Sequence, residues 1–92
     1  MHTTYSTATR FWVHRFSELH GEYVATGSEN ALFSDVIDLI GFTETLRLIN
    51  FYLLTADDPS LEDFADRRDY FQRLAHDKRY DRMYRHPDPR IQ

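Results

Sequence analysis

From Leu46 to Leu54, apolar side chains fall on nearly every side of a helix: Leu46, Leu48, Ile49, Phe51, Tyr52, Leu53 and Leu54, interrupted only by Arg47 and Asn50. A helix without a polar face has to be covered all round. The run is far short of the about 20 residues that a bilayer span needs. It is therefore expected to be the centre of a folded core, as a helix from a Thr43 cap to Thr55. The remaining chain must supply the cover. With 92 residues only one core can be built, so 1–92 is a single domain with loose ends at 1–8 and 87–92. The chain has no cysteine, which leaves packing, rather than disulfides or a thiolate metal centre, to hold it together.

The covering segments read as stripes. Ser28 is a natural N-cap for Ala31, Leu32, Phe33, Val36, Ile37, Leu39 and Ile40, with Ser34, Asp35 and Asp38 opposite and Gly41 as the stop. After the central run, Thr55-Ala56-Asp57-Asp58-Pro59-Ser60 marks a boundary. Pro59 suits a first helical turn, and Ser60-x-x-Asp63 resembles a capping box. Leu61, Phe64, Phe71, Leu74 and Ala75 then face the core, and His86-Pro87-Asp88-Pro89 ends regular structure. At the other end, Trp12, Phe16, Leu19 and Tyr23 fall at i, i+4, i+7 and i+11, one helical stripe within Thr9–Val24. The same segment is rich in strand formers, and Glu18-Leu19-His20-Gly21 could turn a β-hairpin. Consecutive Phe11, Trp12 and Val13 spoil the alternation a strand needs, which favours the helix. The expected fold is all-α, a bundle of about four helices. The alternative is α+β, an N-terminal hairpin packed on three helices. Phe33, Ile37, Ile40, Leu46, Ile49, Leu53, Phe64 and Phe71 are the expected core.

Catalytic and metal chemistry find little support. Five histidines are present, but no H-E-x-x-H or other tight ligand spacing joins them. Asp57-Asp58 with Glu62-Asp63 lacks the alternating oxygens and bend glycine of a calcium loop. Those acids already have a sufficient reason to stand at a helix N-terminus, its dipole. Ser6, Ser17, Ser28, Ser34 and Ser60 lie at caps or polar faces, outside any G-x-S-x-G turn. Gly21, Gly27 and Gly41 are too scattered for a phosphate loop. No cofactor, metal or small-molecule substrate is expected, and the protein is expected not to be an enzyme. The opening Met1-His2-Thr3-Thr4-Tyr5 has neither the basic nor the apolar region of a secretion signal. A cytoplasmic protein with no membrane partner is the expectation.

Charge is unevenly spread. The net charge is −4. Residues 1–59 hold three arginines against eight carboxylates, and residues 60–92 hold eight basic groups against seven acidic ones. Seven of the eight basic groups lie in Arg67-Arg68-Asp69-Tyr70-Phe71-Gln72-Arg73 and Lys78-Arg79-Tyr80-Asp81-Arg82-Met83-Tyr84-Arg85. Up to Ala75 a solvated helix with i, i+4 pairs, Asp63–Arg67 and Asp69–Arg73, accounts for them; Asp81–Arg85 has the same spacing. Beyond Ala75, Tyr80, Met83 and Tyr84 leave the core stripe on a continued helix, flanked by arginines. Arg and Tyr are enriched at interface hot spots and also contact phosphates and bases. Arg67, Arg68, Arg73, Lys78, Arg79, Tyr80, Arg82, Met83, Tyr84 and Arg85 are therefore the candidate partner-binding residues.

In profile the chain resembles the small phage-encoded inhibitors, such as anti-CRISPR proteins that block type I interference complexes. It is similar in being short, single-domain, acidic, cysteine-free and without an enzymatic motif, over its whole length. The resemblance implies a stoichiometric inhibitor seated on a large protein or nucleoprotein complex, with RNA phosphates within reach of the Arg/Tyr segment. The leading functional class is thus a non-enzymatic protein-binding module, an inhibitor or adaptor. A nucleic-acid-contacting accessory subunit is second, although a binding domain for nucleic acid is usually basic overall. A small enzyme with a convergent site of acids and His14, His20 or His76 is third.

Overall fold

The computed structural model describes residues 4–80, 82, 84 and 91. Its elements are α1 (Thr4–His20), α2 (Glu29–Ile40), α3 (Phe42–Thr55) and α4 (Leu61–Ala75). The fold is all-α, and no strand occurs among the described residues, so the hairpin reading of the first segment gives way to helix. No helix is long and apolar enough to cross a membrane among the described residues.

Helix α3 is central, packed against α1, α2 and α4. Leu48, Ile49, Phe51, Tyr52 and Leu53 are all but inaccessible, as its nearly faceless sequence requires. Its two polar interruptions are resolved differently. Asn50 is buried, and its Oδ1 accepts a bond of 2.7 Å from Arg15 Nε on α1. Arg47 stays half-exposed and donates to Glu44 Oε1 at 3.1 Å. A buried amide with a charged donor avoids the penalty of an unpaired polar group.

The first segment departs from expectation at both ends. Helix α1 begins at Thr4, and Ala8 is fully buried; residues 4–8 are thus not a loose end. It stops at His20, where Gly21 takes a φ of 96°. Val24 lies outside the helix and is 78% exposed. Tyr23 still reaches the stripe, but through the loop: its ring lies 5.8 Å from Trp12 and 5.0 Å from Phe16. His20 holds the end of α1 to the end of α3, with Nε2 donating to the Leu53 carbonyl at 2.7 Å.

Trp12 is the hub of the core. It is fully buried, with Phe16, Tyr23, Phe33, Tyr52 and Phe64 all within 6 Å between ring centroids. Of the expected core, Phe33, Leu46, Ile49, Leu53, Phe64 and Phe71 are buried, whereas Ile37 and Ile40 are only partly so. Leu39 turns outward and is 65% exposed. The apolar stripe of α2 is wider than the surface available to cover it.

The caps are refined too. Ser28 sits at the N-cap of α2 but makes no side-chain capping bond; the neighbouring Glu29 instead anchors the loop that leads into the helix. Its carboxylate accepts from the amides of Thr26 (2.6 Å) and Gly27 (2.9 Å), from the Thr26 hydroxyl (3.1 Å) and from the Tyr23 hydroxyl (2.7 Å). Gly41, rather than Thr43, occupies the N-cap of α3. It is the sole residue between α2 and α3, donating to Ile37 O and accepting from Thr45 N. At α4, Ser60 Oγ accepts from Asp63 N at 3.0 Å, the expected half of the capping box. The Asp63 carboxylate does not return to Ser60; it accepts the Tyr52 hydroxyl proton at 2.7 Å, and Ser60 N donates to that same hydroxyl at 3.1 Å. One phenol therefore ties α3 to the start of α4.

Helix α4 ends at Ala75 rather than running on. His76–Lys78 turns the chain, and a new helical turn joins Tyr84 N to Tyr80 O at 3.0 Å. Tyr80 and Tyr84 are thereby brought back onto Phe51, at 5.6 and 6.1 Å between centroids. Ile91 also belongs to the core, against the expectation of a loose end at 87–92; the other residues of that stretch lie outside the described residues.

Candidate partner-binding surface

The sequence nominated ten residues, and the structure separates them. Tyr84 is 5% exposed, which corrects the reading that it had left the core. The loss of register came from assuming one continuous helix, whereas the turn after Ala75 redirects the chain and buries this ring. The Tyr84 hydroxyl donates to the Glu44 carboxylate, and burial, reinforced by that bond, pushes the phenol pKa well above its usual value. Tyr80 is half-buried against Phe51. Met83 and Arg85 lie outside the described residues. Arg67, Arg73, Lys78, Arg79 and Arg82 are exposed, and Arg68 is partly covered.

The charges are paired unevenly. Arg67 Nη1 lies 3.7 Å from Asp63, the expected i, i+4 pair. The other anticipated pair, Asp69–Arg73, is not formed, because Asp69 lies 3.8 Å from Arg68 instead. Arg79 reaches back to Asp77, with its backbone N–H at 2.9 Å and Nε at 3.2 Å from Oδ1. Those bonds hold the Asp77 carboxyl below its ordinary range and raise the Arg79 guanidinium. Arg73, Lys78 and Arg82 make no ion pair among the described residues.

Tyr70, not among the nominated residues, is on α4 with 45% of its area exposed. The Arg67 guanidinium carbon lies 5.0 Å from the Tyr70 ring centroid and 4.9 Å from that of Phe71, within cation–π reach. Arg67 has non-helical torsions, φ −108° and ψ 15°, and kinks α4 at that point. The only sequence signal for Tyr70 was its position beside, not on, the Leu61–Phe71 stripe.

Beside this surface runs a groove of about 600 Å3 between the 55–60 connection and α4, with Asp57, Asp58, Asp63, Arg67, Tyr70 and Tyr80 among its lining. A smaller recess of about 230 Å3 is lined by Glu44, Arg47, His76 and Tyr84. In it Glu44 accepts from both Tyr84 and Arg47, an arrangement that pins the last helical turn to the start of α3. The described histidines do not converge: His14 is exposed on α1, His20 holds Leu53, and His76 lies against Tyr84 at 5.2 Å. No group of three or more His, Asp or Glu is placed to hold a metal among the described residues.

Compared with protein-family models, curated proteins and solved structures, the chain has no significant match in any of the three.

Proposed function

We propose that this protein acts by binding a partner macromolecule, without catalysing a reaction on it, as a stoichiometric inhibitor or adaptor on a larger protein or nucleoprotein complex. The observation that carries the reading is Tyr70, a large ring left 45% exposed with an arginine stacked on it. Helix α4 has its principal packing against α3, so its opposite face is open. Tyr and Arg together are the side chains that dominate hot spots, because each offers broad contact area and directional bonds. Arg73, Lys78 and Arg82 are exposed and make no ion pair among the described residues, so carboxylates or phosphates of a partner can reach them. Tyr84 and the inner face of Tyr80 have a sufficient role in the core and are not part of the contact.

A tagged pull-down from lysate with mass spectrometry, with and without nuclease, tests this when run on wild type, Tyr70→Ala and the Arg73→Glu/Lys78→Glu pair. A partner held by wild type and lost by both variants, at unchanged melting temperature, is the expected result. Stability should hold because exposed charges contribute only about 0–1 kcal/mol to folding. Capture that survives both variants would place the contact elsewhere. Capture abolished by nuclease would favour the nucleic-acid-contacting reading.

A further inference from the structure

We infer that the chain after Ala75 is exchanged between two copies of this protein: α4 straightens through the turn into one longer helix, and Tyr80 and Tyr84 of each copy take their seat on α3 of the other. The seat is specific. Phe51, only 1% exposed, lies against both rings at 5.6 and 6.1 Å between centroids, and Glu44 accepts the Tyr84 hydroxyl proton. Phe51 and Glu44 both belong to α3, and both tyrosines come from beyond the end of α4. The occupant of this seat is thus defined by the fold itself, and a second copy of the chain brings an identical one.

The turn that closes this segment onto its own α3 carries no helix breaker. From Leu61 to His86 the sequence has neither glycine nor proline, the residues that ordinarily end a helix. No non-glycine residue among those described takes a positive φ, and His76, the C-cap of α4, has φ −95° and ψ 4°, beside the helical region. Successive i, i+3 bonds carry the chain through the turn: His76 N to Arg73 O at 3.2 Å, Asp77 N to Leu74 O at 3.0 Å and Tyr80 N to Asp77 O at 2.9 Å. Exchanging these for i, i+4 bonds gives a continuous helix. Tyr84 would then stand roughly 13 Å beyond the end of α4, carried away from its own Phe51. What holds the closed form is local. Asp77 Oδ1 accepts from Arg79 N at 2.9 Å and from its Nε at 3.2 Å, and the His76 ring lies 5.2 Å from that of Tyr84. Because the seat is the same in both forms, they differ chiefly at this hinge, and protein concentration decides between them.

The test refolds the full chain at rising concentration and measures its mass by size exclusion with light scattering. A dimer that grows with concentration is expected for wild type. Asp77→Ala should lower its dissociation constant at least about tenfold, because both hinges lose a cap and gain a better helix former. Lys78→Pro should abolish the dimer. Lys78 holds the second position of the turn from Asp77 to Tyr80, where proline fits, and proline bars a continuous helix. Should that variant fail to fold, two glycines inserted after Lys78 lengthen the hinge and should likewise leave only monomer. The seat is read in a dimer assembled from 13C-labelled and unlabelled chains: isotope-filtered NOEs should join Phe51 of one copy to Tyr80 and Tyr84 of the other. A wild type that stays monomeric at every concentration overturns the inference. So does a dimer without those NOEs, one whose dissociation constant ignores Asp77→Ala, or one that the hinge-breaking variants leave intact.

Discussion

Glu29 shows how much one side chain can carry in a domain of this size. Among the described residues it is the one charged group with as little as 5% of its area exposed. Burial alone would raise its pKa, but the Thr26 amide, the Tyr23 hydroxyl and the Thr26 hydroxyl outweigh that and draw it from the ordinary 4.5 to about 2. In the other direction, burial and the Glu29 carboxylate push Tyr23 up to about 12. A folded-state pKa below the unfolded one means that Glu29 stabilises above about pH 4.5 and loses that contribution as pH falls through about 2. Glu29→Gln should lower stability at neutral pH by roughly 1–3 kcal/mol, since it weakens bonds to a charged acceptor. Thermal melts from pH 7 to pH 2 check this: the gap between wild type and variant should close with acid. Sequence reading had Ser28 at the right place and missed Glu29, because a charged residue at the first helical position is ordinarily explained by the dipole alone. What gives it away is a set of donors contributed by the loop, and loop geometry is not periodic.

At the scale of elements, the stripes were legible wherever a helix packs on one face. Helices α2 and α3 and the start of α4 lie within a residue or two of where spacing, Gly41, Pro59 and Ser60 placed them, whereas α4 stops at Ala75, well short of the continued helix expected. Legibility failed where tertiary contact, not local pattern, decides. Tyr23 continues the α1 stripe in spacing while lying in a loop, and Leu39 continues that of α2 while pointing to water. The α2–α3 junction is the tightest local requirement. Gly41 holds φ 89° and ψ 163°, a region essentially restricted to glycine. A methyl group there would meet no atom within 4 Å, so Gly41→Ala tests backbone strain without steric clash. It should cost about 1–3 kcal/mol, read by chemical denaturation. A cost near zero would mean that the two helices can reorient around a different junction.

Across the whole molecule, the final turn changes the meaning of the Arg/Tyr segment. Composition announced it; only the reversal after Ala75 sorts buried ring from open charge. Tyr84→Phe should destabilise by roughly 1–3 kcal/mol through its lost bond to Glu44. Tyr70→Phe should leave stability unchanged, as that hydroxyl has no partner among the described residues. Comparing the two melts separates core from surface in a segment that reads uniformly along the chain. The acids Asp57 and Asp58 are the converse case: their sequence neighbourhood explains them as helix-start residues, and only the third dimension sets them opposite Tyr70 and Tyr80.

The aromatic hub also fixes what an optical measurement can see. Trp12 is the chain's single tryptophan, shielded from water with tyrosines close enough to pass it their excitation. Its emission should be blue-shifted in the native protein and move to the red in a single step on unfolding. Tyr70, on the outer surface, lies on the solvent side of that shield. Docking on α4 should therefore leave the indole spectrum where it is. A red shift on adding a partner would mean that the core itself opens, and association would then be coupled to unfolding rather than confined to the surface.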